Sequence, residues 1–176
     1  ANELDATFAY LFASNHQSII DVPALFVALP RPLRFVVKRE LRAVPFLGWY
    51  VAAMGMVFVD RGAREDAFKS LRRVPEMLRS GQSVACFPEG TRSRDGAVHP
   101  FKGGSFAMAI EAGVPVVPVA LIGTGAVLPP QGFRVRPGVI RVRLGRPIPT
   151  AGLAPNERGE LARRVRDEVE RLYAGG

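Results

Sequence analysis

The 176-residue sequence predicts an α/β domain with a central, mostly parallel (mixed) sheet flanked by helices. Three observations carry this reading. Short apolar runs alternate with stretches of helical period. Several of the runs are apolar almost throughout, as strands covered on both faces are. Three of them break off in a tight polar turn, the kind of strand end at which α/β proteins carry functional groups.

The elements follow in order. Phe8 to Ala13 is strand-like, and a polar turn leads to a helical stretch from Ile19 to Leu29 that Pro30 and Pro32 stop. Leu33 to Val37 is a second strand. Ala43 to Val59 carries no charge: Pro45 to Met54 reads as a short apolar helix packed on the core, Gly55 as a break, and Met56 to Val59 as a buried strand. Ala67, Leu71, Val74 and Leu78 recur on one helix face closed by Gly81, with Pro75 expected to kink it. Ser83 to Phe87 is a short buried strand, and Ser105 to Ala112 a helix stopped by Gly113. Val114 to Leu121 is a core strand whose prolines shape its ends. Val139 to Leu144 alternates as a half-buried strand does, and Leu161, Val165, Val169 and Leu172 mark a closing helix. Residues 1–176 read as one domain.

An apolar fraction of 48% and a charged fraction of 23% exclude a disordered tail, a collagen-like repeat and a coiled coil. One cysteine, Cys86, excludes a disulfide framework and a cysteine zinc site, and a place inside a strand argues against a nucleophile. Two histidines leave little for a metal centre, so no cofactor is expected. No run of 18 charge-free apolar residues marks a membrane span. Net charge is +8, and 21 of the 24 basic residues are arginine. Such a balance suits nucleic acid, an acidic membrane face or a phosphate-bearing substrate, though a GC-rich genome writes the same excess on ordinary surfaces. Phe46, Trp49 and Tyr50 are also suited to a headgroup boundary.

The chemistry-bearing residues sit at strand ends. His16 and Asp21 flank a strand-to-helix turn. With His16 before the helix and Asp21 in its first turns, the carboxylate can fix one imidazole nitrogen and leave the other as a base for a hydroxyl. His99 lies in a loop with no acid expected at pairing distance. Asp60-Arg61-Gly62 ends the strand after Gly55, and Arg61 can reach a phosphate there. Phe87-Pro88-Glu89-Gly90-Thr91-Arg92-Ser93 ends another strand. Glu89 offers an acceptor, Gly90 close backbone approach, Thr91 and Ser93 hydroxyls, and Arg92 a fork. Lys102-Gly103-Gly104 opens a helix whose free N–H groups suit an anion.

These segments, in this order, resemble the four blocks of the glycerolipid acyltransferase family, most closely its lysophosphatidic acid acyltransferases. Asn15-His16 through Asp21 matches NHxxxxD, Gly55 to Arg61 the GxxFxDR block, Phe87 to Ser93 reads FPEGTRS in full, and Val114 to Leu121 matches the proline-bearing block. The resemblance implies a glycerol-3-phosphate acyltransferase-like fold and a direct acyl transfer without metal or acyl-enzyme. It makes His16 with Asp21 the general base on the free hydroxyl of 1-acyl-glycerol 3-phosphate, and acyl-CoA or acyl-carrier protein the donor. Asn15, Arg61, Glu89, Gly90, Thr91, Arg92 and Lys102 are then expected to hold the acceptor. The remaining expectations are an anionic membrane surface as partner, no nucleic acid, and work at the cytoplasmic face of the cell membrane. Only 15 residues precede His16, which reads as a catalytic core lacking the family's N-terminal anchoring segment. The same chemistry on another lysophospholipid, a lyso-aminolipid or glycerol 3-phosphate is the nearest alternative, and a non-enzymatic acidic-lipid or nucleic-acid binding module is the more distant one.

Overall fold

A computed structural model describes residues 4, 5, 7–29, 31–59, 72–132 and 134–175, the side chains of residues 47 and 50 excepted. Its elements are β1 (Leu11–Ser14), α1 (Asp21–Ala28), β2 (Leu33–Lys38), a 3₁₀ turn (Arg39–Ala43), α2 (Leu47–Ala53), β3 (Val57–Val59), α3 (Val74–Arg79), β4 (Ser83–Cys86), α4 (Gly104–Ala112), β5 (Val116–Ile122), α5 (Thr124–Val127), β6 (Arg141–Leu144), a second 3₁₀ turn (Pro155–Glu157) and α6 (Arg158–Ala174). The strands form one sheet in the order β3-β2-β4-β1-β5-β6. The first five run parallel, and β6 pairs antiparallel with β5. This is the mixed, mostly parallel sheet that the sequence predicts.

Side-chain alternation along the strands divides the core in two. On one face Leu11, Ala13, Val84, Cys86, Val116 and Ala120 pack under α3, α4 and α6, which contribute Leu78, Phe106 and Val165. On the other face Phe12, Leu33, Phe35, Phe87, Val119 and Leu121 pack under Leu25 of α1 and Leu29 just beyond its end. The central strands β1 and β4 are buried at every position. Such strands read as unbroken apolar runs because neither face meets water.

The prolines resolve differently from expectation. Pro75 does not kink a helix in the described chain: α3 starts at Val74, so Pro75 stands in its first turn, where no N–H is needed. Ala67 and Leu71 lie outside the described residues. Pro118 sits within β5, in register with Ala13. The β5–β6 ladder begins at Val119, and the next pairing on that side is the Val116–Ile148 bridge. The missing N–H of Pro118 therefore falls in the gap between the two, where only its carbonyl is used, by Gly145. Phe46 and Trp49, expected to pack on the core, are 78% and 73% exposed; their faces of the short 39–53 segment point away from the sheet.

Candidate active site

Two loops meet where β1 and β4 end. The first, residues 15–20, carries His16 and runs into α1. The second, residues 87–103, runs into α4 and carries FPEGTRS. Parallel strands end side by side, so residues 73 apart in sequence become neighbours.

Asp21 opens α1 and is fully buried. Its Oδ2 lies 2.7 Å from His16 Nδ1 and accepts the backbone N–H groups of Gln17 and Ser18 at 2.7 and 2.8 Å. One carboxylate oxygen thus folds the loop back on itself and faces one imidazole nitrogen. The ring stacks on Phe87, with centroids 4.0 Å apart. The His16 backbone is gripped at both ends by the second loop: its N–H donates to Glu89 Oε1 at 2.9 Å, and its carbonyl accepts the Ser93 N–H at 2.7 Å. The His16 side chain keeps 17% of its surface in solvent, so the ring is fixed yet reachable. A base held this way needs no reorganisation before it takes a proton.

Two expected substrate contacts turn inward instead. Asn15 is fully buried, and its side-chain amide is spent on backbone: Nδ2 donates to the Leu121 carbonyl at 2.9 Å and Oδ1 accepts the Leu121 N–H at 2.8 Å. The side chain thus stands in for a strand residue and extends the β1–β5 pairing by one step. Glu89 is 5% exposed and holds the His16 N–H. Burial pushes its carboxyl above the ordinary value, against the backbone N–H groups of His16 and His99, which favour the anion.

The outer rim carries the rest. Thr91 and Arg92 are exposed on the turn. Gly90 has φ +81°, and a Cβ there would sit 2.7 Å from Lys102 Nζ, so the glycine lets the ammonium lie against the turn. The Lys102 N–H donates to the Pro88 carbonyl, closing this second loop. His16 and Asp21 therefore stand on the first loop and at its exit into α1, and Glu89, Gly90, Thr91, Arg92 and Lys102 on the second, with Glu89 turned inward. Arg61, with Asp60, lies outside the described residues.

Some residues of the site were not anticipated. His99 does have an acid: its Nε2 lies 2.9 Å from Asp95 Oδ1, which also accepts the Ser93 hydroxyl and the Ala97 N–H. Those donors, the Ala97 N–H foremost, hold the Asp95 carboxyl down to about 2. The four-residue spacing of Asp95 and His99 was the available signal. Gln17 Nε2 donates to the Gly96 carbonyl and to the Tyr173 hydroxyl, tying the His16 loop to α6. With its amide oxygen turned toward Arg94, Gln131 accepts from Nε at 3.1 Å. Among the described residues, no three His, Cys, Asp or Glu side chains are grouped as metal ligands.

Comparison with known proteins points to one family. A 1-acyl-sn-glycerol-3-phosphate acyltransferase of Brassica napus, chloroplastic, is 39% identical over 139 residues, covering 78% of this chain and 40% of that protein. One from Saccharomyces cerevisiae is 35% identical, covering 91% and 54%. The alpha form from Homo sapiens is also 35% identical, covering 93% and 58%. The crystal structure of the 1-acyl-sn-glycerophosphate acyltransferase PlsC from Thermotoga maritima superposes with a TM-score of 0.79 at 34% identity, covering 93% of this chain and 64% of that one. The chain spans about half the length of these relatives. A family model described as Acyltransferase matches residues 3–122, which takes in β1 to β5 and both loops of the site. By that match, and by the fold it shares with PlsC, the chain belongs to the acyltransferase family.

Proposed function

We propose that the chain transfers a fatty acyl group from a thioester donor, acyl-CoA or acyl-carrier protein, to the free hydroxyl of 1-acyl-glycerol 3-phosphate, giving phosphatidic acid. The observation that supports this best is the His16–Asp21 pair at 2.7 Å, beside a rim that carries Arg92 and Lys102. An alcohol is a weak nucleophile until a base assists it, and its phosphate must be held to orient it.

In this reading Asp21 keeps the proton of His16 on Nδ1, leaving the Nε2 lone pair free. Nε2 takes the hydroxyl proton as the oxygen attacks the thioester carbonyl. The tetrahedral intermediate collapses with cleavage of the C–S bond, and the imidazolium returns its proton to the departing thiolate. Arg61, Arg92 and Lys102, with Gly90 and Thr91, hold the acceptor's phosphate. Asn15 and Glu89 act as positioning residues for the His16 loop. Residues 1–176 form one catalytic domain that works at an anionic membrane surface, on its cytoplasmic side. The relatives' printed names support the acceptor: each is an acyltransferase of 1-acyl-sn-glycerol 3-phosphate.

Purified protein, one acyl-CoA, one acyl-carrier protein and a panel of lyso-acceptors test this directly. Transfer to 1-acyl-glycerol 3-phosphate should exceed transfer to lysophospholipids without a free phosphate and to glycerol 3-phosphate. His16→Ala should lose on the order of 10²–10⁴ in rate with the fold intact. A variant that keeps more than half of wild-type turnover sinks the mechanism.

A further inference from the structure

The helix α6 meets the loops of the site at three points along its length. At its start, a Cβ placed on Gly103 would lie 3.3 Å from Arg158 Cγ. Midway, Arg166 Nη2 donates to the Val98 carbonyl at 3.2 Å. Near its end, Tyr173 meets Gln17, which also donates to the Gly96 carbonyl. Spacings of eight and seven keep Arg158, Arg166 and Tyr173 within about 80° of one another around the helix. They flank the stripe of Leu161, Val165 and Val169 that is buried in the core. The solvent side differs in kind: there Arg163 pairs with Glu160 and Asp167 of the same helix. The matched family segment ends at residue 122, so α6 lies wholly beyond it.

The Tyr173 contact reaches nearest the chemistry. Gln17 is 4% exposed, and both hydrogens of its amide are engaged: Nε2 donates to the Gly96 carbonyl at 2.8 Å and to the Tyr173 hydroxyl at 2.9 Å. The hydroxyl lies 3.3 Å from Gln17 Oε1 and donates back to it. The backbone N–H of Gln17 donates to Asp21 Oδ2 at 2.7 Å, and that same oxygen faces His16 Nδ1. A relay of three contacts thus runs from α6 to the imidazole. Its outer end is braced as well, since Arg143 of β6 donates to the Leu172 carbonyl at 2.9 Å and fixes the turn that carries Tyr173. The half-buried Tyr173 ring packs against the core, where a phenylalanine ring would fill the same space. The hydroxyl is therefore the part of this side chain that acts on the loop.

We propose that Tyr173 is a positioning residue for acyl transfer: through Gln17 it holds the His16 loop in the geometry in which Asp21 faces the imidazole. The inference rests on the reading above, in which His16 is the base. Positioning of this kind matters because a displacement of about 1 Å at a reacting group can cost on the order of 10² in rate.

Tyr173→Phe removes the hydroxyl and keeps the ring. Its kcat should fall about fivefold, the rate equivalent of one neutral hydrogen bond, while the KM of acceptor and donor each stay within about twofold of the wild type. Gln17→Leu should fall further, and adding Tyr173→Phe to it should cost nothing more, since the two act through one contact. Val169→Ala, in the buried stripe of the same helix, is the control: it should lower the melting midpoint by several degrees and leave kcat unchanged well below melting. Amide hydrogen exchange gives a readout besides activity. The peptide spanning residues 15–21 should exchange faster in Tyr173→Phe and as the wild type does in Val169→Ala. An unchanged kcat in Tyr173→Phe, a rise in KM alone, additive losses in the double variant, or a Val169→Ala that loses as much kcat would each overturn the proposal. An active wild type with an unchanged Tyr173→Phe removes this inference and keeps the chemistry. A wild type that transfers to no lyso-acceptor overturns the functional reading, and the exchange rates alone then decide whether Tyr173 orders the loop.

Discussion

Asn15→Ala is expected to damage stability and rate while leaving the acceptor's KM almost unchanged. The substitution leaves two buried backbone groups unpaired, the N–H and the carbonyl of Leu121, which Asn15 meets at 2.8 and 2.9 Å. Each buried group left unsatisfied costs about 1–3 kcal/mol, so the loss is roughly 2–6 kcal/mol. For a chain of this size that lowers the melting midpoint by roughly 5–20 °C. Asn15→Asp is the sharper variant. Its Oδ1 still accepts the Leu121 N–H, but the second oxygen then faces the Leu121 carbonyl, acceptor against acceptor, in a site with no exposure. Ionisation there is disfavoured, so this variant should regain stability as the pH falls from neutral to about 5, where the carboxyl protonates and donates to the carbonyl. Melting by circular dichroism at the two pH values, with transfer kinetics over a range of acceptor concentrations, checks both parts. Should Asn15→Ala melt within about 1 °C of the wild type, or raise the acceptor's KM many-fold at unchanged kcat, the positioning role is wrong and Asn15 touches substrate.

Three further outcomes follow from the same geometry. Arg92→Lys keeps the charge on the exposed turn but loses the two-pronged donor, so it should raise the acceptor's KM more than the donor's, as steady-state kinetics with each substrate varied will read; equal rises refute the assignment. Gly123→Ala combines φ +88° with a Cβ built 2.3 Å from the Val139 carbonyl oxygen, so it should cost at least about 2 kcal/mol in urea unfolding, and a neutral result would mean that this turn is free to move. Asp95 is held at about 2 against an ordinary value of 3.8, so its contribution is present above that value and lost as pH falls through the lower one. The stability gap between the wild type and Asp95→Asn should therefore be constant above about pH 5 and close between about pH 4 and 2; a gap that widens on acidification contradicts this.

The apolar runs that became β1, β4 and β5 were legible because strands buried on both faces carry a polar residue only at an end, Ser14 in β1 and Ser83 in β4. His16 and Asp21 were legible because their contact is local, spanning one turn. What escaped was set by distance in sequence. Nothing near Asn15 announces a partner 106 residues away, and nothing near Gln17 announces Tyr173, 156 residues away. Glu89 was read as an acceptor for substrate because it shares a tight polar turn with Thr91, Arg92 and Ser93; the backbone of that turn sends it inward to the His16 N–H. The exposure of Phe46 and Trp49 was hidden for another reason. An apolar residue on a short helix reads the same whether it meets a core or an interface, and only the sheet's geometry decides which.

The order of the sheet also bears on how the chain acquires its shape. β1 lies in the middle, yet it is made first, and both of its neighbours come late. Tyr10, at its start, bonds Ser83 across 73 residues, and Asn15, at its end, bonds Leu121 across 106. At synthesis rates of about 5–20 residues per second, this apolar strand waits several seconds for its first partner and longer for its second. Such non-local pairing makes folding slow, and until β4 and β5 have emerged β1 offers two unpaired edges to any other chain. The His16 loop, which hangs between those two late pairings, is consequently among the last parts to take its working form.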